Sequence, residues 1–220
     1  EQEIEFYQSG LFNGEFNSDS RPKESIDGVN PKLNLSYSLD DDNLIYAQAA
    51  KGFRYGGING AIPESVCADE LAEVERDGGD TRFFDPDEIW NYELGIKGVS
   101  RSGKFSYNTT VFHIDWTDMQ TSRAFECGFG FKENVGEATS QGIEFEVSVK
   151  PIDALTLSAG GAYIKSTLDE DVPNLSAIKG DAAPFVPETT FTASAEYEQT
   201  LVEDYMGFAW FNLQYTGDRA

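Results

Sequence analysis

The sequence is poor in the residue types that build metal sites and nucleophilic active sites. It has one histidine and two cysteines among 220 residues. A Ser/His/Asp grouping needs a histidine that can pass protons, and the single histidine, His113, falls inside a strand-like run. Glu93, Glu144 and Glu146 lie along a polar wall, with nothing to position an acid and a base around a bond. We expect no enzyme and no cofactor.

Cationic residues are also scarce. Lys and Arg number 16 against 39 Asp and Glu, which gives a net charge of −23. Nucleic-acid binding requires clustered cations against phosphates, so a nucleic-acid partner is excluded. Aromatic residues make up 13% of the chain, which argues against disorder as the cause of the acidity.

No stretch approaches the roughly 20 consecutive apolar residues that a membrane-spanning helix needs. This absence excludes helical spans only, because a membrane β-strand needs about 10 residues of which alternate ones are apolar. Nine runs have this alternating or β-rich character. They lie near residues 2–12, 31–40, 44–54, 89–99, 104–120, 134–150, 155–167, 188–199 and 207–217.

The connections between these runs alternate in length. Long segments at 13–30, 55–88, 121–133 and 168–187 are separated by short ones such as DDDN, RSGK and PIDA. Antiparallel strands joined in this way have every long loop at one end, as in outer-membrane barrels. A soluble up-and-down barrel, with its apolar face turned inward, is the alternative.

Five segments follow one another in order: LIYAQAAKGFRYGGIN (44–59), DPDEIWNYELGIKG (85–98), TTVFHIDWTDMQ (109–120), ENVGEATSQGIEFEVSVKP (133–151) and LTLSAGGAYIKSTLDE (155–170). Together they resemble the C-terminal barrel region of TonB-dependent outer-membrane receptors. The resemblance implies an all-β fold, a transmembrane antiparallel up-and-down β-barrel of which residues 1–220 supply about nine strands. The N-terminal plug domain of this family and its closing strands are not found in the sequence.

The resemblance also implies a function. It predicts active uptake of a scarce nutrient, such as a ferric siderophore or related iron complex, across the outer membrane of a Gram-negative bacterium. The implied partners are membrane lipid and lipopolysaccharide, a small nutrient ligand, the TonB complex through the missing N-terminal region, and a surface lipoprotein. A passive porin-like or structural barrel is one alternative, and a soluble β-rich binding domain is another.

The candidate ligand-binding residues lie at the predicted rim and lumen. In KGFRYGGING (51–60), Arg54 and Tyr55 end a strand where glycines open a loop, and they can meet an anionic ligand or form a rim salt bridge and a girdle tyrosine. Asn59 and Arg123 lie in the loops at the same end. His113 and Asp115 are predicted to face the lumen, where a hydrogen-bonded wall histidine is favoured over a haem ligand.

Two features of the predicted loops complete the expectations. Cys67 and Cys127 lie in neighbouring loops, so a disulfide is favoured in an oxidising exterior. Loop 55–88 is strongly acidic, and DGGD (77–80) lacks the spacing of a calcium loop, so a solvated loop is favoured. Residues 68–77 are predicted to form a short helix within it.

Overall fold

The computed structural model describes residues 2–5, 23–26, 28–173, 176–183, 186–202 and 205–218. In chain order its elements are β1 (Gln2–Glu5), β2 (Lys23–Ile26), β3 (Lys32–Ser38), β4 (Asn43–Arg54), β5 (Gly57–Ile58), α1 (Glu64–Arg76), β6 (Phe83–Phe84), β7 (Asp87–Val99), β8 (Phe105–Thr117), β9 (Gln120–Ala124), β10 (Gly130–Asn134), β11 (Ala138–Ile152), β12 (Leu155–Leu168), β13 (Thr189–Val202) and β14 (Tyr205–Thr216). No helix in these ranges is long and apolar enough to cross a membrane.

Eight strands form one antiparallel sheet. Their order across the sheet is β3, β4, β7, β8, β11, β12, β13 and β14, so each strand pairs with the next sheet strand along the chain. This order confirms the all-β, up-and-down topology predicted from the sequence. Within the described residues, β3 and β14 are the edges of the sheet.

Within the described residues, eight of the nine predicted runs form strands of this sheet. Of the first run, 2–12, the structure describes residues 2–5, and these pair with Lys23–Ile26 in a separate two-stranded sheet. Their backbone groups therefore find partners away from the edge of β3. Residues 6–12 and most of the predicted loop 13–30 lie outside the described residues.

Two predicted strands are shorter than their alternation indicates: one ends earlier and the next begins later. The run 104–120 ends as β8 at Thr117, and the run 134–150 begins as β11 at Ala138. Between them Asp118 and Gly136 have φ angles of 54° and 82°, in the left-handed region that turns the chain out of a strand. The intervening residues form a small hairpin, β9 with β10.

The register gives the sheet two faces of different chemistry. Across five strands, one row reads Ala47, Leu94, Val111, Ile143 and Tyr163. We call this side the apolar face, and its side chains are exposed, with Leu94 at 54%. On the other side, the polar face, a row reads Lys97, Asn108, Glu146, Gly160 and Thr192.

The buried hydrophobic core of the described residues lies beyond one end of the sheet, among the loops. One cluster is formed by Cys67, Val74, Phe125 and Phe131. A second is formed by Met119, Ala138, Leu168 and Val172. Neither face of the sheet has a buried cluster of its own, so the apolar face needs an apolar environment from outside the described chain.

Helix α1 begins four residues before the predicted 68–77, directly after Pro63. Glu64 in its first turn and Arg76 in its last turn are placed favourably for the helix dipole. Cys67 and Val74 are its buried residues, and the helix is kinked at Cys67, whose φ of −125° and ψ of 24° are not helical. The helix ends at Arg76, Asp77 is its C-cap, and Gly78 directly after it has a φ of 79°, in the left-handed region that favours glycine.

Candidate functional site

Three long loops gather at one end of the sheet, which we call the loop end. They are loop 1 (55–86), loop 2 (118–137) and loop 3 (169–188), and they correspond to the predicted loops 55–88, 121–133 and 168–187. The short connections at 39–42, 100–104 and 153–154 lie at the opposite end, as up-and-down pairing requires. Because binding residues lie disproportionately on loops held by a rigid scaffold, the loop end is the candidate capture site.

Loops 1 and 2 are joined covalently. Cys67 of helix α1 and Cys127 of loop 2 form a disulfide with a Cα–Cα distance of 5.5 Å. The backbone N–H of Cys127 also donates to Glu70 Oε1 at 3.1 Å. Together with the buried cluster around Val74, these contacts make the two loops one packed body, which we call the loop unit.

The side-chain amide of Asn59 also connects the loop unit. Its Nδ2 donates to the carbonyl of Lys132 at 2.7 Å, and its Oδ1 accepts from the N–H of Lys132 at 2.8 Å. The amide thus pairs with the edge of β10 as a backbone peptide group would. Asn59 is a structural contact between the two loops, and this pairing occupies both ends of its amide.

Two further amides bridge the same loops close to the sheet. Gln120 Nε2 donates to the carbonyls of Tyr55 at 2.9 Å and Asp85 at 3.1 Å. Asn134 Nδ2 donates to the carbonyls of Asp85 at 2.9 Å and Asp118 at 2.8 Å, and Asn134 Oδ1 accepts from the N–H of Asp85 at 2.7 Å. These bonds supply donors to three loop carbonyls.

A buried carboxylate connects four strand ends at the base of the loop unit. Asp87 is 1% exposed, and its oxygens accept from Arg54 Nε at 2.9 and 3.0 Å and also from Arg54 Nη2. Trp116 Nε1 donates to the same carboxylate at 2.9 Å, and the Gln120 N–H lies 3.4 Å away. The guanidinium carbon lies 5.1 Å from the centroid of the Trp116 ring. We call this arrangement the rim ion pair.

The rim ion pair decides how Arg54 is held. The sequence allowed two roles for Arg54, a rim salt bridge or contact with an anionic ligand. The observed geometry is that of the salt bridge. The Arg54 side chain remains 56% exposed, so contact with an anionic ligand stays a proposal. Tyr55 next to it is 46% exposed, with its ring edge-on to Phe53 at 5.0 Å.

Arg123 lies deeper in the loop unit. Its side chain is 29% exposed, with Nη2 at 3.7 Å from Glu73 Oε1 and its guanidinium carbon 5.9 Å from the Phe125 ring. Burial raises the pKa of the nearby Glu133 carboxyl, and the charge of Arg123 lowers it in part. Arg123 thus compensates loop carboxylates in the structure.

His113 and Asp115 were predicted to face the lumen, and the structure places them on the apolar face of the sheet. His113 pairs in register with Tyr92 and Gln141, on the side of Leu94 and Val111. His113 Nε2 lies 2.8 Å from Asp115 Oδ1, but both are on the opposite face from the Arg54 side chain. The structure therefore separates His113 and Asp115 from Arg54, whereas Asn59 and Arg123 line the same cavity in the loop unit.

The physical reason is a change of pattern within β8. Up to Val111 the apolar side chains lie on the apolar face, but Phe112, Ile114 and Trp116 lie on the polar face. On the polar face Trp116 packs against the buried cluster that includes Met119. Apolar side chains are therefore needed on this face near the loop end. The adjacent apolar pair Val111–Phe112 was the sequence signal for this change.

The polar face carries an open cavity of about 620 Å³ between its middle and the turn end. Hydroxyl, amide and carboxylate groups line it, including Asn108, Glu146, Ser148 and Thr192. Within the described residues, the side-chain oxygen of Asn108 is buried without a hydrogen-bond partner. This wall can offer many weak hydrogen bonds to a passing or docked molecule.

The carboxylates in the acidic part of loop 1 are spread along the chain. Among the described residues, no group of three or more His, Cys, Asp or Glu side chains could hold a metal ion. Asp80 is paired with Arg82, Nη2 to Oδ2 at 3.0 Å, and this hydrogen bonding lowers the pKa of Asp80. The segment 77–80 is therefore a helix-ending turn.

Comparisons with known proteins give one family and a consistent set of relatives. A family model described as "TonB dependent receptor-like, beta-barrel" matches residues 5–220. The metal-pseudopaline receptor of Pseudomonas aeruginosa is 24% identical over 96% of this chain and 26% of its own length. The pesticin receptor of Yersinia enterocolitica is 26% identical over 75% of this chain and 22% of its own. The chain thus spans about a quarter of these relatives.

Solved structures share the fold. The ferric yersiniabactin uptake receptor of Yersinia pestis superposes with a TM-score of 0.69 and 21% identity, covering 90% of this chain and 27% of that one. The ferric preacinetobactin receptor of Acinetobacter baumannii gives 0.63 and 20%, covering 89% and 26%. In both, the matching part is about a quarter of a larger protein.

Proposed function

Because this chain belongs to the TonB-dependent receptor-like β-barrel family, we propose that it is part of the barrel wall of an outer-membrane receptor that takes up a scarce nutrient. The expected nutrient is a ferric siderophore or a related metal complex. Relatives named as metal-pseudopaline and ferric-pyoverdine receptors support this substrate class. The family is one of receptors, in agreement with the expectation that the chain is not an enzyme.

One observation carries the proposal more than any other. The sheet has an exposed apolar face, a polar face with an open cavity, and all three long loops at one end. A barrel closed around the polar face has lipid outside and a wet interior, with the loops above its mouth. The loop end would then be extracellular and the short turns periplasmic.

The loop unit suits ligand capture because it is already ordered. Its disulfide, buried cluster and amide contacts join loops 1 and 2 to each other. A preformed surface loses less conformational entropy on binding than mobile loops do. Arg54 and Tyr55 at the mouth are proposed to meet the ligand, with Arg123 and Asn59 holding the loops that surround it.

Release into the interior requires weak contacts and an energy source. The hydroxyl and amide groups of the polar face can form successive weak hydrogen bonds with a polar complex. The family implies that TonB supplies the energy from the inner membrane, through parts of the receptor outside these residues. The apolar face is proposed to contact outer-membrane lipid and lipopolysaccharide, and a surface lipoprotein could cap the loop end.

Uptake of radioactive iron by cells that produce the full-length protein tests this function. A panel of ferric chelates is offered to cells with and without a functional TonB gene, and to de-energised cells. We expect saturable uptake of at least one chelate that is lost in both control states. Uptake that continues without the energy source would instead indicate the passive porin-like alternative.

A further inference from the structure

The middle of the polar face carries three carboxylates. Glu144 and Glu146 are neighbours on this side of β11, and Glu93 lies on β7, two strands away across β8. At about 3.4 Å per residue and about 4.8 Å per strand, their Cα atoms fall within about 17 Å of one another. Within the described part of the chain, neither Glu144 nor Glu146 has an ion-pair or hydrogen-bond partner. Both carboxylates are therefore open to a ligand.

Two amide oxygens on the same face also lack donors. Asn91 Oδ1 and Asn108 Oδ1 are buried, and no described residue donates a hydrogen bond to either. Asn91 uses its Nδ2 to donate to Glu93 Oε1 at 2.6 Å, so only its oxygen is left unpaired. A buried acceptor without a donor is costly, and such an atom marks a place where a partner binds. We call Asn91, Glu93, Asn108, Glu144 and Glu146 the acceptor wall.

The acceptor wall borders an open groove. Asn108 and Glu146 line both the cavity of about 620 Å³ and a second cavity of about 280 Å³, which Glu144 also lines. Gly160 and Thr192 are shared by the two cavities, and they leave the floor between the carboxylates low. The combined groove has the size of a small-molecule site.

The cations of this face do not neutralise the groove. Arg54 is already paired with Asp87, so the rim ion pair adds no net charge. Lys97 lines the larger cavity, but two strand spacings, about 10 Å, separate its strand from that of Glu146. Within the described residues, no ion pair joins them. The groove is therefore negative, with more acceptors than donors.

The route to the groove carries charge of the same sign. Acidic residues outnumber basic ones in each of loops 1, 2 and 3, and the whole chain has a net charge of −23. A field of one sign over a mouth and a cleft concentrates ions of the opposite sign and repels those of its own. Cations are thus favoured at the loop end and again at the acceptor wall.

We propose that the acceptor wall is a binding site for a cationic part of the nutrient complex that donates N–H hydrogen bonds, such as an amine or ammonium group. This inference rests on the proposed function and deepens it, because it makes the cargo a cationic or amine-bearing chelate instead of a polyanionic one. The groups of the chelate make the contact, since no group of three or more His, Cys, Asp or Glu side chains among the described residues could hold the metal itself.

Two inert cobalt(III) complexes of similar size and opposite charge test the inference. Hexaamminecobalt(III) is a trivalent cation covered with N–H donors, and hexacyanocobaltate(III) is a trivalent anion that only accepts. Calorimetric titration of the full-length receptor in nanodiscs at physiological salt measures the affinity for each complex. We expect the cation to bind and the anion not to bind. Replacing both Glu144→Gln and Glu146→Gln should weaken binding of the cation at least about tenfold.

A matched double variant separates a site from a general charge effect. Asp153→Asn with Glu170→Gln removes the same charge from exposed positions in a turn and in loop 3, and should change the affinity less than about twofold. Equal weakening by both double variants, or equal binding of the two complexes, would overturn the inference. Absence of hexaamminecobalt binding to the unaltered receptor would also overturn it, because another part of the full-length protein would then satisfy the acceptors.

Iron uptake by cells that produce the unaltered receptor distinguishes these failures from failure of the proposed function. Energised uptake of a ferric chelate together with a failed cobalt result would remove the cationic site alone. Absence of energised uptake for every ferric chelate offered would remove the proposed function, and the inference with it.

Discussion

The rim ion pair gives the sharpest quantitative prediction. Asp87 is buried and accepts hydrogen bonds from Arg54, Trp116 and the backbone of Gln120. Removing one partner of a buried pair costs about 3–5 kcal/mol, and the low end applies here because the Arg54 side chain is half exposed. We expect Asp87→Ala to lower the free energy of unfolding by about 3 kcal/mol.

A double-mutant cycle isolates the Arg54–Asp87 interaction from the other contacts. Arg54→Met alone leaves the carboxylate with its Trp116 and Gln120 donors and is expected to cost about 2 kcal/mol. The double variant loses less than the sum, with a coupling energy of about 1–2 kcal/mol. Urea unfolding of the full-length protein in vesicles, followed by tryptophan fluorescence, measures each corner of the cycle.

The pair Lys51–Glu88 is a matched control because it joins the same two strands, β4 and β7. Its ion pair is 2.6 Å long, but the Glu88 side chain is 42% exposed. An exposed pair of this kind contributes about 0.2–1 kcal/mol. A coupling energy at Arg54–Asp87 no larger than that at Lys51–Glu88 would refute the reasoning, because burial would then contribute nothing.

Three further perturbations have defined outcomes. Cys127→Ser removes a disulfide that closes 60 residues and contributes at most about 4 kcal/mol on the chain-entropy model. Loop 1 should then become sensitive to brief proteolysis while the strands stay protected. Equal resistance with and without the disulfide would contradict its role in holding the loop unit together. Leu94→Lys on the apolar face should cost about 2–4 kcal/mol in vesicles and Gln48→Lys on the polar face about 0–1, so equal costs would contradict the assignment of the faces. Burial raises the folded-state pKa of Glu133 above its unfolded value, so its favourable contribution is fully present below the unfolded pKa and is lost as pH rises through the folded pKa. Glu133→Gln should therefore stabilise the loop unit at neutral pH and flatten this dependence, measured by hydrogen exchange of loop 2, and an unchanged pH profile would contradict it.

Much of the sheet could be predicted because its determinants are local. Alternation over the run that became β11 and the short turn PIDA after it specify a strand, a face and a hairpin without reference to the rest of the chain. The position of Cys67 and Cys127 followed from the order of the loops alone. Helix α1 was predicted only in part, because its first turn depends on Pro63 and on burial of Cys67.

The candidate site was less predictable because its contacts join distant segments. Asp87, Gln120 and Asn134 are ordinary polar residues near strand ends, and only the folded chain brings Asp87 to Arg54 and Asn134 to Asp85. The face on which His113 lies follows from the burial of Trp116 on the opposite face of β8, under the loops. A buried cluster contributed by separate loops cannot be inferred from the alternation within one strand.

The most direct test of the account is the experimental structure of the full-length protein in a lipid nanodisc. The account predicts that β3 and β14 each gain a further antiparallel neighbour, that the barrel closes around the polar face, and that lipid density lies against Leu94, Val111 and Ile143. An apolar face packed inside against protein, with the polar face in water, would contradict it and would identify a soluble β-rich domain.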